Sequence, residues 1–229
     1  TIIEDIISAS EIESHSKVLE IGPGIGALTR PLVEMDSDIT CVEIDKRLAQ
    51  YLSEDLPSVN IITSDYTKLN DYDGESFEYA ISNIPYYVMT PIIIKLLSDL
   101  PNCKKMTFMI EEEAMRRIDA PVGTKQYGPL AVMCSCYGTV TKEFNVPRTA
   151  FVPQPHTLSC VITLQKVDGI PSKDFASFVN RCFSNRRKKL TNSVPEVKPL
   201  LAKYNLPEDI RAEKIEPSVF ASIYKDLFC

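Results

Sequence analysis

Asn83-Ile84-Pro85-Tyr86 gathers an amide, a main-chain carbonyl ahead of a proline, and an aromatic ring into four consecutive residues. The Asn83 side-chain carbonyl and the Ile84 main-chain carbonyl can both accept hydrogen bonds from an exocyclic amine. Pro85 fixes its own φ and biases Ile84 towards an extended backbone, which holds that carbonyl in place. The Tyr86 ring offers a face on which a planar base can stack. Together these groups suit the amino group of a nucleobase. The same four residues also read as a strand running into a turn, because Asn-x-Pro is ordinary turn chemistry.

The flanking elements place this stretch. An apolar run over 77–82 reads as a buried strand, and residues 89–100 read as a helix. The tetrad therefore sits at the C-terminal lip of a strand, where ligands bind in open α/β sheets. Upstream, Lys17–Ile21 is a short strand that runs into Gly22-Pro23-Gly24-Ile25-Gly26, followed by a helix over 27–35. Strand, glycine turn and helix in that order make a nucleotide-site hypothesis, since glycine lets the backbone approach a ligand closely. Pro23 removes an N–H that could cradle phosphate, the spacing is not GxGxxG, and no Lys-Ser/Thr pair follows. The turn fits a ligand without a pyrophosphate. A second strand, Asp38–Glu43, ends in an acid about twenty residues past Gly22, the position that meets ribose hydroxyls in this architecture. Asp45 reads as the N-cap of a helix beginning at Lys46. A third strand over 60–65 ends in Asp65, which can accept from an adenine amino group. Glu43, Asp65 and Asn83 on successive strand ends after a glycine turn point to an adenosyl ligand.

The bulk properties bound the rest. The chain has 229 residues, 44% hydrophobic and 24% charged, enough for one large domain and a small one. No apolar run approaches the ~20 residues of a membrane span, and no signal peptide is visible. The chain begins at Thr1, so its natural start is expected upstream. Seven scattered cysteines without a CxxC pair read as reduced thiols of a cytoplasmic protein, with Cys134 and Cys136 packed inside an apolar run. Two histidines, His15 and His156, make a zinc site improbable, and no metal is expected. Net charge is −6, but residues 170–229 hold eleven Lys and Arg against seven Asp and Glu. An acidic body with a basic tail directs any polyanion contact to the tail.

Strands are predicted over 104–110, 140–146 and 159–165, with helices over 111–117 and 129–137. Between the last two strands lies a proline-rich loop, 147–155, that presents Phe151. That ring either plugs the core or faces a base opposite Tyr86. Residues 166–172 form a plausible boundary, giving an α/β domain over 1–169 and a small all-helical domain over 170–229. Arg186-Arg187-Lys188-Lys189 is the densest basic cluster, readable as a solvated face or as a phosphate contact.

With these motifs in hand, the chain resembles the ribosomal RNA adenine dimethyltransferases, the family that modifies two adjacent adenosines near the 3′ end of small-subunit RNA. The likeness runs almost end to end. It rests on Glu20-Ile21-Gly22-Pro23-Gly24, Glu43-Ile44-Asp45, Asn83-Ile84-Pro85-Tyr86 and Gln126-Tyr127-Gly128-Pro129-Leu130. It continues through Ala150-Phe151-Val152-Pro153-Gln154-Pro155, through 183–190 with Asn192-Ser193, and through Arg211-Ala212-Glu213. The first three motifs occur across many adenine-N6 methyltransferases; the aromatic-proline loop and the Arg-Arg-Lys tail are more specific.

The resemblance implies a Rossmann-like S-adenosylmethionine-dependent methyltransferase domain with a small C-terminal helical domain. It implies S-adenosylmethionine held by Gly22, Gly24, Glu43, Ile44, Asp65, Tyr66 and Asn83. The target adenosine would be extruded and stacked between Tyr86 and Phe151, with Asn83, Ile84, Pro85 and Tyr86 forming the catalytic stretch. Arg148, Arg186, Arg187, Lys188 and Lys189 would meet the RNA, within a pre-ribosomal particle and from a monomer. Three features depart from the family pattern, one being His156-Thr157-Leu158-Ser159 in place of a commoner Lys-Val-Asp-Ser after the proline loop. The chain starts after a Gly-Gln-Asn-Phe-Leu-like segment that usually precedes the first helix. Glu111-Glu112-Glu113 also stands where the family usually has Gln-Lys or Gln-Arg before a Glu. Two other readings compete: a macrolide-resistance methylase acting on large-subunit RNA, and a non-catalytic RNA-binding assembly factor on the same fold.

Overall fold

The computed structural model describes residues 1–84, 86–151, 154–167 and 172–229, with Tyr86 described by its backbone alone. Pro85, the Tyr86 ring, Val152, Pro153 and the boundary expected at 169/170 lie outside the described groups.

The chain opens with α1 (Ile2–Ser10), started by a capping box in which the Thr1 hydroxyl accepts from the Glu4 N–H and the Glu4 carboxylate accepts from the Thr1 amine. There follow β1 (Lys17–Ile21), α2 (Thr29–Glu34), β2 (Asp38–Glu43), α3 (Lys46–Asp55), β3 (Asn60–Thr63) and β4 (Tyr79–Asn83). Then come α4 (Met89–Asp99), β5 (Lys105–Glu111), α5 (Glu112–Ile118), α6 (Pro129–Tyr137), β6 (Gly138–Val146) and β7 (Ser159–Lys166). The tail carries α7 (Lys173–Phe183), α8 (Leu190–Ser193) and α9 (Pro217–Phe228). Expected and observed elements agree to within a few residues. The second helix starts at Thr29 rather than 27 because the glycine turn runs on, with the Gly26 N–H donating to the Pro23 carbonyl at 2.9 Å.

The seven strands form one sheet in the order β3-β2-β1-β4-β5-β7-β6. The first five run parallel, while β7 is antiparallel to both β5 and β6. Winding reverses between β1 and β4, so the switch point falls between the glycine turn after β1 and Asn83 at the end of β4. Register puts Asn83 opposite Met109, Glu111 opposite Ser159, and Val146 opposite the same Ser159. The loop between β6 and β7, which carries Arg148 and Phe151, therefore opens at the same edge of the sheet as Asn83.

Side chains along the strands alternate between two cores, as the period of two requires. Leu19, Ala80, Phe108 and Ile110 face one apolar cluster; Val18, Tyr79, Ile81 and Met109 face the other. Both faces are covered, which is why the central strands read as continuous apolar runs. Phe175, Phe178 and Val179 of α7 join the first cluster with Phe220, Ile223 and Tyr224 of α9. Edge-on packing of Phe175 on Tyr224, centroids 5.2 Å apart, links those two helices. Among the described residues no helix is long and apolar enough to cross a membrane. Cys134 is buried, and Cys136 contacts the Pro217 carbonyl, so the pair packs as expected.

Candidate functional site

The glycine turn after β1 and the end of β4 flank the switch point, and the ends of β2 and β3 follow along the same edge of the sheet. Gly22 and Gly24 both adopt the left-handed region, with φ of 67° and 60°. A Cβ built on either would meet no atom within 4 Å, so both glycines face open space. The turn's own N–H groups are used internally. Gly22 donates to the Val42 carbonyl at 2.9 Å, and Gly24 donates to Glu43 Oε2 at 3.1 Å. A turn whose donors are taken in this way is poorly equipped for phosphate, in line with the sequence argument.

Glu43 is 5% exposed, and its carboxylate is a bridge. Oε2 accepts from Gly24, and Oε1 accepts from the Asp45 N–H at 2.9 Å. One carboxyl thus ties the glycine turn to the start of α3. A carboxylate has about four lone-pair sites, so acceptor capacity remains for hydroxyl groups. Asp45 itself caps α3, its Oδ1 accepting from the Arg47 and Leu48 N–H groups. Ile25, in the glycine turn, and Ile44, next to Glu43, are each 67% exposed and offer apolar surface. Ile25 was not singled out in the sequence; its exposure is the only signal it gives.

Asp65 lies two residues beyond the end of β3, not on the strand as the pattern suggested. It caps a short 3-10 turn, Tyr66–Lys68, accepting on Oδ1 from the Thr67 hydroxyl and N–H at 2.7 and 3.0 Å. Those bonds, the hydroxyl first, hold its carboxyl below the usual range. Oδ2 is 3.5 Å from the exposed Lys68 ammonium. The Tyr66 side chain is buried and its hydroxyl pairs with that of Tyr72 at 2.7 Å, which in turn donates to Asp99. Only its main chain is left to face a ligand.

Asn83 is exposed at the end of β4, while Ile84 is buried and donates its N–H to the Met109 carbonyl at 3.2 Å. The strand end is thereby fixed on β5, and the amide of Asn83 projects beyond it. Phe151 is half-buried against the cluster that also holds α1 residues, so the core-plugging reading accounts for much of its ring. Arg148 is exposed in the same loop. Of the acids at the end of β5, Glu112 is paired with Lys142 at 2.8 Å, while Glu111 accepts from the Thr157 hydroxyl and keeps its charge uncompensated by that bond.

The basic cluster divides. Arg187, Lys188 and Lys189 are exposed, with no ion pair among the described residues. Arg186 is turned inward. Its guanidinium donates to the Lys125 and Thr124 carbonyls at 2.8 and 3.1 Å and pairs with Glu213 at 3.2 Å. The sequence groups Arg186 with its neighbours as a phosphate contact; the structure uses it to brace the loop before α6 against the tail.

Glu20 is the site residue that the sequence reading passed over except as part of a motif. It points to the same face as Val18, is 2% exposed, and accepts from the Thr29 hydroxyl of α2 at 2.8 Å and from the Cys41 thiol. Burial pushes its carboxyl up to about 7, against the opposing pull of those two donors, and nearby Glu43 adds to the rise. A lone carboxyl among Val18, Leu19 and Ile21 was the available signal.

With the geometry established, comparison with known proteins decides the family. A family model described as ribosomal RNA adenine dimethylase matches residues 1–227. This chain belongs to that family. It is 33% identical over 264 residues to ribosomal RNA small subunit methyltransferase A of Natranaerobius thermophilus, covering 99% of this chain and 87% of that protein. It is 38% identical over 208 residues to the protein of the same name from Bacillus cytotoxicus, covering 84% and 71%. Two solved structures share the fold. A dimethyladenosine transferase from Plasmodium falciparum superposes with a TM-score of 0.75 at 24% identity, covering 98% of this chain and 94% of that one. The 23S rRNA methyltransferase ErmE gives 0.65 at 23% identity, covering 99% and 96%. The family membership agrees with the resemblance read from the motifs. The donor of such enzymes, S-adenosylmethionine, finds what it needs here: an open glycine cradle, carboxylates with spare acceptor capacity, and apolar flanks.

The buried Glu20 gives a pH prediction. The folded chain keeps its proton up to about pH 7, whereas the unfolded chain releases it near 4.5. The folded state therefore holds the extra proton in between, and this residue's contribution to stability falls as pH rises through that window. The full loss is on the order of 3 kcal/mol. Urea denaturation at several pH values should show a Glu20→Gln variant lacking this downward slope. Parallel slopes for the two proteins would refute it.

Proposed function

We propose that the strand lip around Asn83 carries out S-adenosylmethionine-dependent N6,N6-dimethylation of two adjacent adenosines near the 3′ end of small-subunit ribosomal RNA. The observation that carries this reading is the match of the dimethylase family over nearly the whole chain, with the family's glycine turn and Asn83 stretch placed on either side of the switch point. The substrate is RNA in a pre-ribosomal particle, met by a monomer in the cytoplasm.

S-adenosylmethionine supplies a methyl group already activated by its sulfonium. The protein's task is then positioning, which can be worth orders of magnitude in rate. Gly22 and Gly24 leave room for the donor beside β1. Glu43 offers its remaining lone pairs to the ribose hydroxyls, Asp65 offers Oδ2 to the adenine amine, and Ile44 covers the ring. The Asn83 side chain and the Ile84 carbonyl accept the two N–H bonds of the target N6 amine and turn its lone pair towards the methyl. One proton leaves the nitrogen for water with each transfer. After the first transfer one N–H remains, so a single acceptor must orient the amine for the second. Tyr86 and Phe151 would be the stacking faces for the extruded base. Residues 1–169 perform the transfer and residues 170–229 contact RNA, with Arg148, Arg187, Lys188 and Lys189 at phosphates.

Small-subunit particles lacking the modification, incubated with methyl-labelled donor, should carry label on adjacent adenosines near the RNA 3′ end. Asn83→Ala should lower this by about a hundredfold or more, the cost of a misplaced reactant. Particles bound but unlabelled by the wild type would contradict the reading.

Phosphate contact has its own signature. Each neutralised contact should flatten the plot of log affinity against log salt by about 0.7–0.9. Neutralising Arg187, Lys188 and Lys189 together should therefore remove about two units of slope, whereas Arg186→Gln should lower the thermal midpoint and leave the slope unchanged. Equal slopes for the triple variant and the wild type would remove the tail from the RNA interface.

A further inference from the structure

Tyr87 is the most exposed large apolar side chain among the described residues, at 88%, where the others range from 46 to 67%. It stands in the middle of a single 3-10 turn, Tyr86–Val88, which joins the end of β4 to α4. The turn's surroundings are firmly held. Ile84 before it and Met89 after it are both buried, and Val88 packs half-buried on the core. The ring between them is left in water and contributes little to folding. Scattered apolar side chains on a surface are ordinary, so exposure alone decides nothing. Position does. Four residues along the chain span at most about 14 Å, so Tyr87 lies within that distance of Asn83.

The reaction supplies a use for such a ring. Taking one of two adjacent bases out of its stack leaves the neighbour with a bare face, and extrusion is costly unless that face is covered. A protruding aromatic ring on a fixed turn can cover it without regard to sequence, since every base has a π-face. We propose that Tyr87 stacks on the base of the nucleotide next to the adenosine being methylated. This assignment rests on the reading of the strand lip as an adenine methylation site. It is separate from the stacking proposed above for Tyr86 and Phe151, which concerns the target base itself.

The test compares Tyr87→Ala, Tyr87→Leu and Tyr87→Phe in the full-length protein, using small-subunit particles lacking the modification. Loss of one stacked base should lower kcat/KM for the particle about 5- to 150-fold in the Ala and Leu variants. The Phe variant should stay within about twofold, because it keeps the π-face. Donor affinity and thermal midpoint should not move in any variant, because the ring lies outside the core. Wild-type kcat/KM in Tyr87→Ala, or a Leu variant as active as the Phe variant, would overturn the assignment while leaving the methylation reading intact. An unlabelled particle with the wild-type protein would overturn both.

Discussion

The Glu43 carboxylate holds the site together. Its two oxygens accept the N–H groups of Gly24 and Asp45, at 3.1 and 2.9 Å, from opposite sides of the strand end. Without an acceptor there, the N–H groups of half-buried Gly24 and exposed Asp45 would turn to water, and nothing would tie the two segments together. The bridge fixes how the glycine turn leaves β1 and how α3 leaves β2. The open space beside Gly22 and Gly24 lies next to this bridge. The carboxyl that shapes the cradle is also the one proposed to bind ribose, so structure and recognition are coupled at one residue.

A second layer lies beneath. Glu20, one strand over, binds Thr29 of α2 and Cys41 of β2 in a dry setting. Burial first, and the nearby Glu43 after it, push the Glu20 carboxyl up to about 7, while Thr29 and Cys41 pull the other way.

Much of this was legible in the sequence. Apolar runs bounded by turn residues marked the strands, and the glycine turn with acids at successive strand ends marked the lip. What escaped depended on the third dimension. Arg186 reads as one of four like charges, and only folding brings the Thr124 and Lys125 carbonyls, some sixty residues away, under its guanidinium. Phe151 reads either as a core plug or as a face for a base, and only the fold shows the ring resting half-buried on the cluster that α1 helps to build. Tyr66 follows a site acid but turns its ring into the core, where Tyr72 and Asp99 satisfy the hydroxyl chain. Asp65 lies past its strand because its side chain caps the next turn, a local hydrogen bond that no apolar pattern records.

The account stands most directly on Glu43, and calorimetric titration of S-adenosylmethionine into the full-length protein and its Glu43→Gln variant would test it. An amide there cannot accept from both backbone donors and offers less to ribose. Affinity should fall by about tenfold or more, as expected when hydrogen bonds to a charged group are lost. Binding as tight as the wild type, with the fold intact, would show that the cradle does not depend on this carboxylate and would contradict the account.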